Sequence, residues 1–167
     1  MVEEEIVVVT DANVMINFIH IGRLELLARL PGLRFVVPEH VVAEITDAAQ
    51  AAELRAAVAR GDFDEVCMTN AAEITRFAAL TETLGRGESA CLALAEARGW
   101  AVASDERRAF HRTAVERIGE DRLLSTPALI LRAIRAGLAT VAEADDWKAL
   151  LEQRRFRMKF ASFGDLL

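Results

Sequence analysis

Four carboxylates hold positions where they could act together: Asp11, Glu44, Glu88 and Asp105. Asp11 directly follows the run Ile6-Val7-Val8-Val9-Thr10, and Asp105 directly follows Trp100-Ala101-Val102-Ala103-Ser104. Glu88 comes just after Gly85-Arg86-Gly87 at the start of a helical pattern, and Glu44 lies early in a helical pattern that begins at Glu39. Carboxylates gathered at one place repel each other unless cations neutralise them. Oxygen-only ligands select hard ions, so such a cluster implies Mg²⁺ or Mn²⁺. Whether the four meet depends on the elements that carry them.

Ile6 to Val9 are β-branched without interruption, the pattern of a strand covered on both faces in a parallel sheet. Ligands of open α/β sheets bind outside the carboxyl ends of the strands, which is where Asp11 falls. Short helices are expected over 16–21 and 24–30, parted at Gly22 and ended by Pro31-Gly32. A second strand over 34–37 closes at Pro38. One helix is expected from Glu39, with Val41, Ile45 and Ala48 on one face, running on through the Ala-rich segment to Arg60. An edge-like strand over 64–68 follows, then helices over 74–84 and 88–98. A strand over 100–104, a helix over 107–118, a short strand over 123–126 and a helix from Pro127 complete the alternation. It predicts an α/β fold of three α/β/α layers around a mainly parallel sheet of about five strands.

In that topology Asp11 and Asp105 share an edge, since both follow parallel strands. A right-handed crossover starts the helix of Glu88 at the same edge, and the helix of Glu44 arrives likewise. Glu88 shares its helical face with Cys91, Leu92 and Ala95, and a charge on such a stripe has to be paired, hydrogen-bonded or metal-bound. Each acid also has a structural alternative. Asp11 and Asp105 suit helix N-caps, Glu44 a solvated helix edge, and Glu88 the positive end of a helix dipole.

The 167 residues carry a net charge of −6 and 53% hydrophobic residues, fitting one compact domain with a real core. The main α/β body is expected over 1–136, with a helical extension over 137–167 packed on it. The negative charge counts against a broad nucleic-acid coat but not against a nuclease whose acids gather around metal. No apolar run is long enough for a bilayer, and the acidic start Met1-Val2-Glu3-Glu4-Glu5 is unlike a signal peptide, so a cytoplasmic protein is expected. Cys67 and Cys91 are isolated and read as reduced core thiols. The first turn, Asp11-Ala12-Asn13-Val14, lacks the glycines of a dinucleotide site. Asn13 also stands where an aspartyl-nucleophile phosphatase wants a second Asp.

Taken together, Thr10-Asp11-Ala12-Asn13, the segment Val37-Pro38-Glu39-His40-Val41-Val42-Ala43-Glu44-Ile45, the turn Leu84-Gly85-Arg86-Gly87-Glu88-Ser89-Ala90 and Ala101-Val102-Ala103-Ser104-Asp105 resemble a PIN domain, the metal-dependent ribonuclease fold that includes VapC-type toxins. The resemblance covers residue 6 to about 130 and implies an Mg²⁺- or Mn²⁺-dependent endoribonuclease. It maps the acidic quartet onto Asp11, Glu44, Glu88 and Asp105, and a polar helper onto Asn13. Asp11, Glu88 and Asp105 would hold metal, Glu44 would be an outer ligand or orient water, and Asn13 and Ser104 would steady the ligands. An antitoxin partner, a homodimer and an RNA substrate are implied too. The sequence departs from the family in having Ala103 where Thr or Ser is common, Glu106 immediately after Asp105, and a longer C-terminus. A rival reading is an inactive PIN-like module that binds RNA or a protein.

The tail from Glu152 to Lys159 sets Arg154, Arg155, Arg157 and Lys159 against one acid, with Phe156 and Phe160 interleaved. It suits single-stranded RNA by charge and stacking. It also suits docking of Phe156, Phe160 and Phe163 on the body or a second subunit, and docking is the stronger reading because large apolar side chains find cover.

Overall fold

A computed structural model describes residues 4–167. The first three residues of the acidic start, Met1-Val2-Glu3, lie outside the described residues. Five strands form one parallel sheet: β1 (Ile6–Thr10), β2 (Leu33–Pro38), β3 (Asp64–Val66), β4 (Ala101–Ala103) and β5 (Leu123–Leu124), in the order β3-β2-β1-β4-β5. This is the expected three-layer α/β/α architecture. Val8 and Val9 of the central strand are fully buried, as a run of β-branched residues between two helical layers requires.

Helices α1 (Ala12–His20) and α2 (Glu25–Arg29) connect β1 to β2. The expected single helix from Glu39 to Arg60 is two: α3 (Glu39–Glu44) and α4 (Ala48–Ala59). Ile45 leaves helical geometry at φ −85°, ψ 88°, and Asp47 caps α4 by accepting from the Gln50 N–H at 3.0 Å. Ala48 therefore opens a second helix instead of continuing the face of Val41 and Ile45. The break leaves Glu44 at the end of a six-residue helix, close to the sheet edge.

After β3 come α5 (Ala71–Leu80) and α6 (Arg86–Arg98). Helix α5 starts three residues before the expected Ile74 because Asn70 caps it, accepting from the Glu73 N–H at 3.0 Å. Helix α6 lies against β1, β2 and β4 with α3, α5 and α7 (Ala109–Ile118) beside it. Ala90 to Ala95 are all buried, so α6 fills the middle of one layer. It stops at Gly99, which takes the left-handed φ of 70° and turns the chain into β4.

Helix α8 (Thr126–Arg135) is capped by Ser125, and α9 (Val141–Gln153) contacts α1 and α8. Trp147 and Leu151 of α9 are buried, as are Met158 and Phe163 beyond it. Phe156 and Phe160 pack half-buried on the same core, so the tail is docked on the body. Cys91 is in the core as expected, but Cys67 is exposed beyond the end of β3, where an edge strand leaves one side uncovered. Among the described residues no helix is long and apolar enough to cross a membrane.

Candidate active site

The parallel register builds the site. Thr10 is level with Ala103, so the residues that follow, Asp11 and Ser104, emerge side by side from the two central strands. The Asp11 N–H still reaches the Ala103 carbonyl at 2.9 Å, one step beyond the strands. The Ser104 hydroxyl donates to Asp11 Oδ2 at 3.1 Å, while Asp11 Oδ1 accepts from the Ala12 N–H at 2.8 Å. Asp11 is thus both the cap of α1 and a member of the site, with one oxygen assigned to each neighbour.

Glu88 and Glu44 arrive on helices. Glu88 bends back to accept from the Gly85 N–H at 3.3 Å, closing the first turn of α6. Glu44 Oε1 accepts from the Gly87 N–H at 2.8 Å, so the end of α3 is tied to the start of α6. That contact requires the close backbone approach that glycine permits at 87.

Asp11, Glu44 and Glu88 line one cavity of about 290 Å³, together with Asn13 and Glu106. Asp105 is not part of that lining. Its Oδ1 accepts from the Thr126 N–H at 2.7 Å, and its Oδ2 accepts from the Thr126 hydroxyl at 2.5 Å and the Asn17 amide at 3.0 Å. The reason is register again: Ala103 is level with Leu124, so residues beyond β4 run beside the start of α8. Chain alternation then turns Ser104 and Glu106 to one side and Asp105 to the other. Asn13 fixes both, donating to Glu106 Oε1 at 3.1 Å and accepting from the Asp105 N–H at 3.3 Å.

At these carboxyls the cost of burial outweighs the hydrogen bonds they receive. Burial pushes the Asp11 carboxyl up from 3.8 to about 7, with Glu88 and Glu44 adding to the rise and the Ala12 N–H and Ser104 hydroxyl opposing it. Burial raises Glu88 as well, and Glu106 and Glu44 add to it. Asp105 is raised by burial, against the opposing bonds from Thr126 and Asn17. Beneath them burial pushes the Cys91 thiol well up, keeping it protonated.

Among the described residues no three His, Cys, Asp or Glu side chains stand at the mutual spacing of a metal cage. The donor set nevertheless fits a hard divalent cation: four carboxylates and an amide around one cavity, with no nitrogen or sulfur donor facing it. Of the expected residues, Asp11, Glu44, Glu88 and Asn13 line the cavity, Ser104 bonds Asp11 beside it, and Asp105 follows Ser104 at the same edge but outside the lining. The fourth acidic position, expected for Asp105, is held in the cavity by Glu106. The adjacent pair Asp105-Glu106 showed that either acid could face the cavity but not which one. Asn17 and Thr126, which occupy Asp105, carried no signal in the sequence.

The sequence matches a family profile described as a PIN domain (DUF3368) over residues 7–162. No curated protein matches it. Among solved structures, VapBC2 from Rickettsia felis, bound to a DNA fragment from its promoter, is similar at 13% sequence identity. The similarity has a TM-score of 0.49 and covers 71% of this chain and 96% of that one.

Proposed function

The chain belongs to the PIN-domain family, whose members are generally nucleases, and we propose that it is a metal-dependent ribonuclease that hydrolyses phosphodiester bonds of RNA. One observation carries this reading: Asp11, Glu44, Glu88 and Glu106 converge on a single cavity at the carboxyl edge of the sheet. Repelling carboxylates, one raised to about 7, make a site that a cation would stabilise.

Asp11, Glu88 and Glu106 are the residues that would hold Mg²⁺ or Mn²⁺, and the ion would supply an activated water and charge neutralisation at the attacked phosphate. The chain's own groups do the positioning. Ser104 and the Ala12 N–H fix both oxygens of Asp11, Asn13 fixes Glu106, and Gly85 fixes Glu88. Glu44 is exposed and anchored by one oxygen only, leaving the other free to orient water and take up its proton. Asp105, placed among the metal ligands by the resemblance, supports the site from behind by joining the end of β4 to Asn17 and α8.

This reading treats residues 1–136 as the nuclease body and 137–167 as its extension, supported by the burial of Trp147, Leu151 and Phe163. It includes a homodimer and a protein antitoxin, the second following only if the protein is a toxin. The test is cleavage of RNA by the purified chain with Mg²⁺ or Mn²⁺, beside EDTA and Asp11→Asn. Cleavage abolished by both supports the proposal; cleavage surviving both belongs to a contaminant. Metal binding without cleavage of any RNA would favour the inactive binding module instead.

A further inference from the structure

The carboxylate cavity is the middle of a longer groove. Glu106 and Ser104 form its border with a cavity of about 520 Å³, a volume suited to a nucleotide. On the opposite side Glu44 borders a cavity of about 480 Å³ that contains His40 and Arg86. Three adjoining hollows therefore run past the acids.

The larger hollow has an unusual wall. Arg107 and Arg108 come from the segment that follows Glu106, and Arg157 and Lys159 come from the docked C-terminal tail. All four are exposed, and none makes an ion pair or a side-chain hydrogen bond among the described residues. Outside the hollow Arg23, Arg34, Arg60, Arg76, Arg98, Arg117 and Lys148 are each bound to an acid, while cations unpaired among the described residues, such as Arg55 and Arg112, stand away from its wall. In a protein of net charge −6, the four uncommitted cations of the hollow outnumber its acids, Asp105, Glu106 and Glu120, and leave its wall with a surplus of positive charge. Phe156 and Phe160 are half-buried in the same wall, and the Phe160 ring is engaged by Phe163, edge-on at 4.9 Å, and by the Lys148 ammonium, 5.9 Å over it. Arg108, the residue before α7, has a φ of 60°, a conformation strained for most residues but glycine.

Resting on the ribonuclease reading, we propose that this hollow is the substrate subsite next to the carboxylates. It binds single-stranded RNA, with Arg157 and Lys159 contacting phosphates and Phe156 receiving a base. The carboxylates repel phosphate, so affinity has to be supplied beside them, and cations combined with aromatic surface are the means by which proteins bind single strands. The tail's two roles are then one. Leu151, Met158 and Phe163 dock it, and docking presents the residues between them to the groove.

The test separates binding from cleavage. Anisotropy of a fluorescent single-stranded RNA is measured in EDTA for the full chain, for Arg157→Ala with Lys159→Ala, and for the charge-matched control Arg55→Ala with Arg112→Ala. Circular dichroism verifies the fold of each. The tail variant is expected to bind at least about tenfold more weakly, with a salt slope shallower by about 1.4 for two lost phosphate contacts on a single strand. The control is expected to bind as the unaltered chain does. Absence of RNA binding by the unaltered chain, equal losses in both variants, or unchanged binding in the tail variant would each overturn the subsite. Tail-dependent binding without metal-dependent cleavage would leave the subsite standing and remove the ribonuclease reading. Cleavage with the same KM in the tail variant would do the reverse.

Discussion

The Glu44 carboxylate rests on the backbone of Gly87, accepting its N–H at 2.8 Å from a helix 43 positions away in sequence. A Cβ at 87 would lie 2.8 Å from Glu44 Oε1, and its nearest neighbours are all atoms of that carboxylate. The obstacle is the end of a flexible, exposed side chain, so the fold can absorb a methyl group while the carboxylate cannot keep its place. Gly87→Ala is expected to leave the protein folded with a modestly lower melting temperature, since alanine's helix preference of at most about 0.5–1 kcal/mol is outweighed by about 1–3 kcal/mol for the buried Gly87 N–H that loses its acceptor. Activity is expected to fall about 10–100-fold, as for loss of a group that orients a metal site. Thermal melts beside RNA cleavage rates check it; a folded variant with full activity would remove Glu44 from the mechanism.

Glu106 and Asp105 are adjacent in sequence but differ in surroundings, which allows their roles to be separated. Glu106→Gln removes a charge from the exposed cavity and is expected to lower metal-dependent cleavage about 100-fold with little change in melting temperature. Asp105→Ala leaves the Thr126 N–H and the Asn17 amide without their acceptor and is expected to cost about 2–3 kcal/mol of stability. Urea unfolding and cleavage assays on both variants decide it. A stable Asp105→Ala protein that has lost metal binding would return Asp105 to the ligand set.

The parts of this site that were legible in the sequence are those set by repeating patterns. The β-branched run identified β1, and parallel topology brought Asp11 and Ser104 level. The Gly85-Arg86-Gly87 turn placed Glu88 at the start of α6. What was not legible depends on single contacts. The hydrophobic face of Val41 and Ile45 continues into Ala48, and only the cap formed by Asp47 breaks it into two helices. Past the end of β4 no ladder enforces alternation, so the choice between Asp105 and Glu106 rests on Asn13, Asn17 and Thr126. These are contacts between residues about 20 to 90 positions apart, and no local pattern encodes them.

A second ionic contact supports the helix layer rather than the site. Glu73 is only 1% exposed and accepts from Arg98 Nε at 2.7 Å and from the Thr69 N–H at 2.8 Å. The Arg98 bond, then the Thr69 N–H, hold its carboxyl below the usual range against the cost of burial. This contribution is present above the ordinary glutamate pKa and is lost as pH falls through the lower folded-state value. Glu73→Ala is expected to cost about 2 kcal/mol at pH 7, less than for a fully buried pair because Arg98 keeps contact with water. Chemical denaturation at pH 7 and pH 3 checks it: the difference between variant and unaltered chain is expected to shrink in acid.

Asp11 has the opposite sign. Its folded-state pKa of about 7 lies above the ordinary 3.8, so between those values the folded chain binds more protons than the unfolded one. Stability contributed by this group therefore falls as pH rises from about 4 to about 7 and stays low above that, by up to about 4 kcal/mol for a shift of that size. The loss is the cost of ionising a buried carboxylate beside Glu88 and Glu44, and a bound cation offsets it. In EDTA the unaltered chain is expected to melt lower at pH 8 than at pH 5, and Asp11→Asn to lose most of that difference and melt higher at pH 8. Mn²⁺ is expected to raise the melting temperature of the unaltered chain at pH 8 and leave Asp11→Asn where it was, while RNA cleavage by the variant drops at least about 100-fold. Calorimetry across pH with and without Mn²⁺ measures all of this. An Asp11→Asn protein that is less stable than its parent at pH 8 would show that Asp11 acts as the cap of α1 alone.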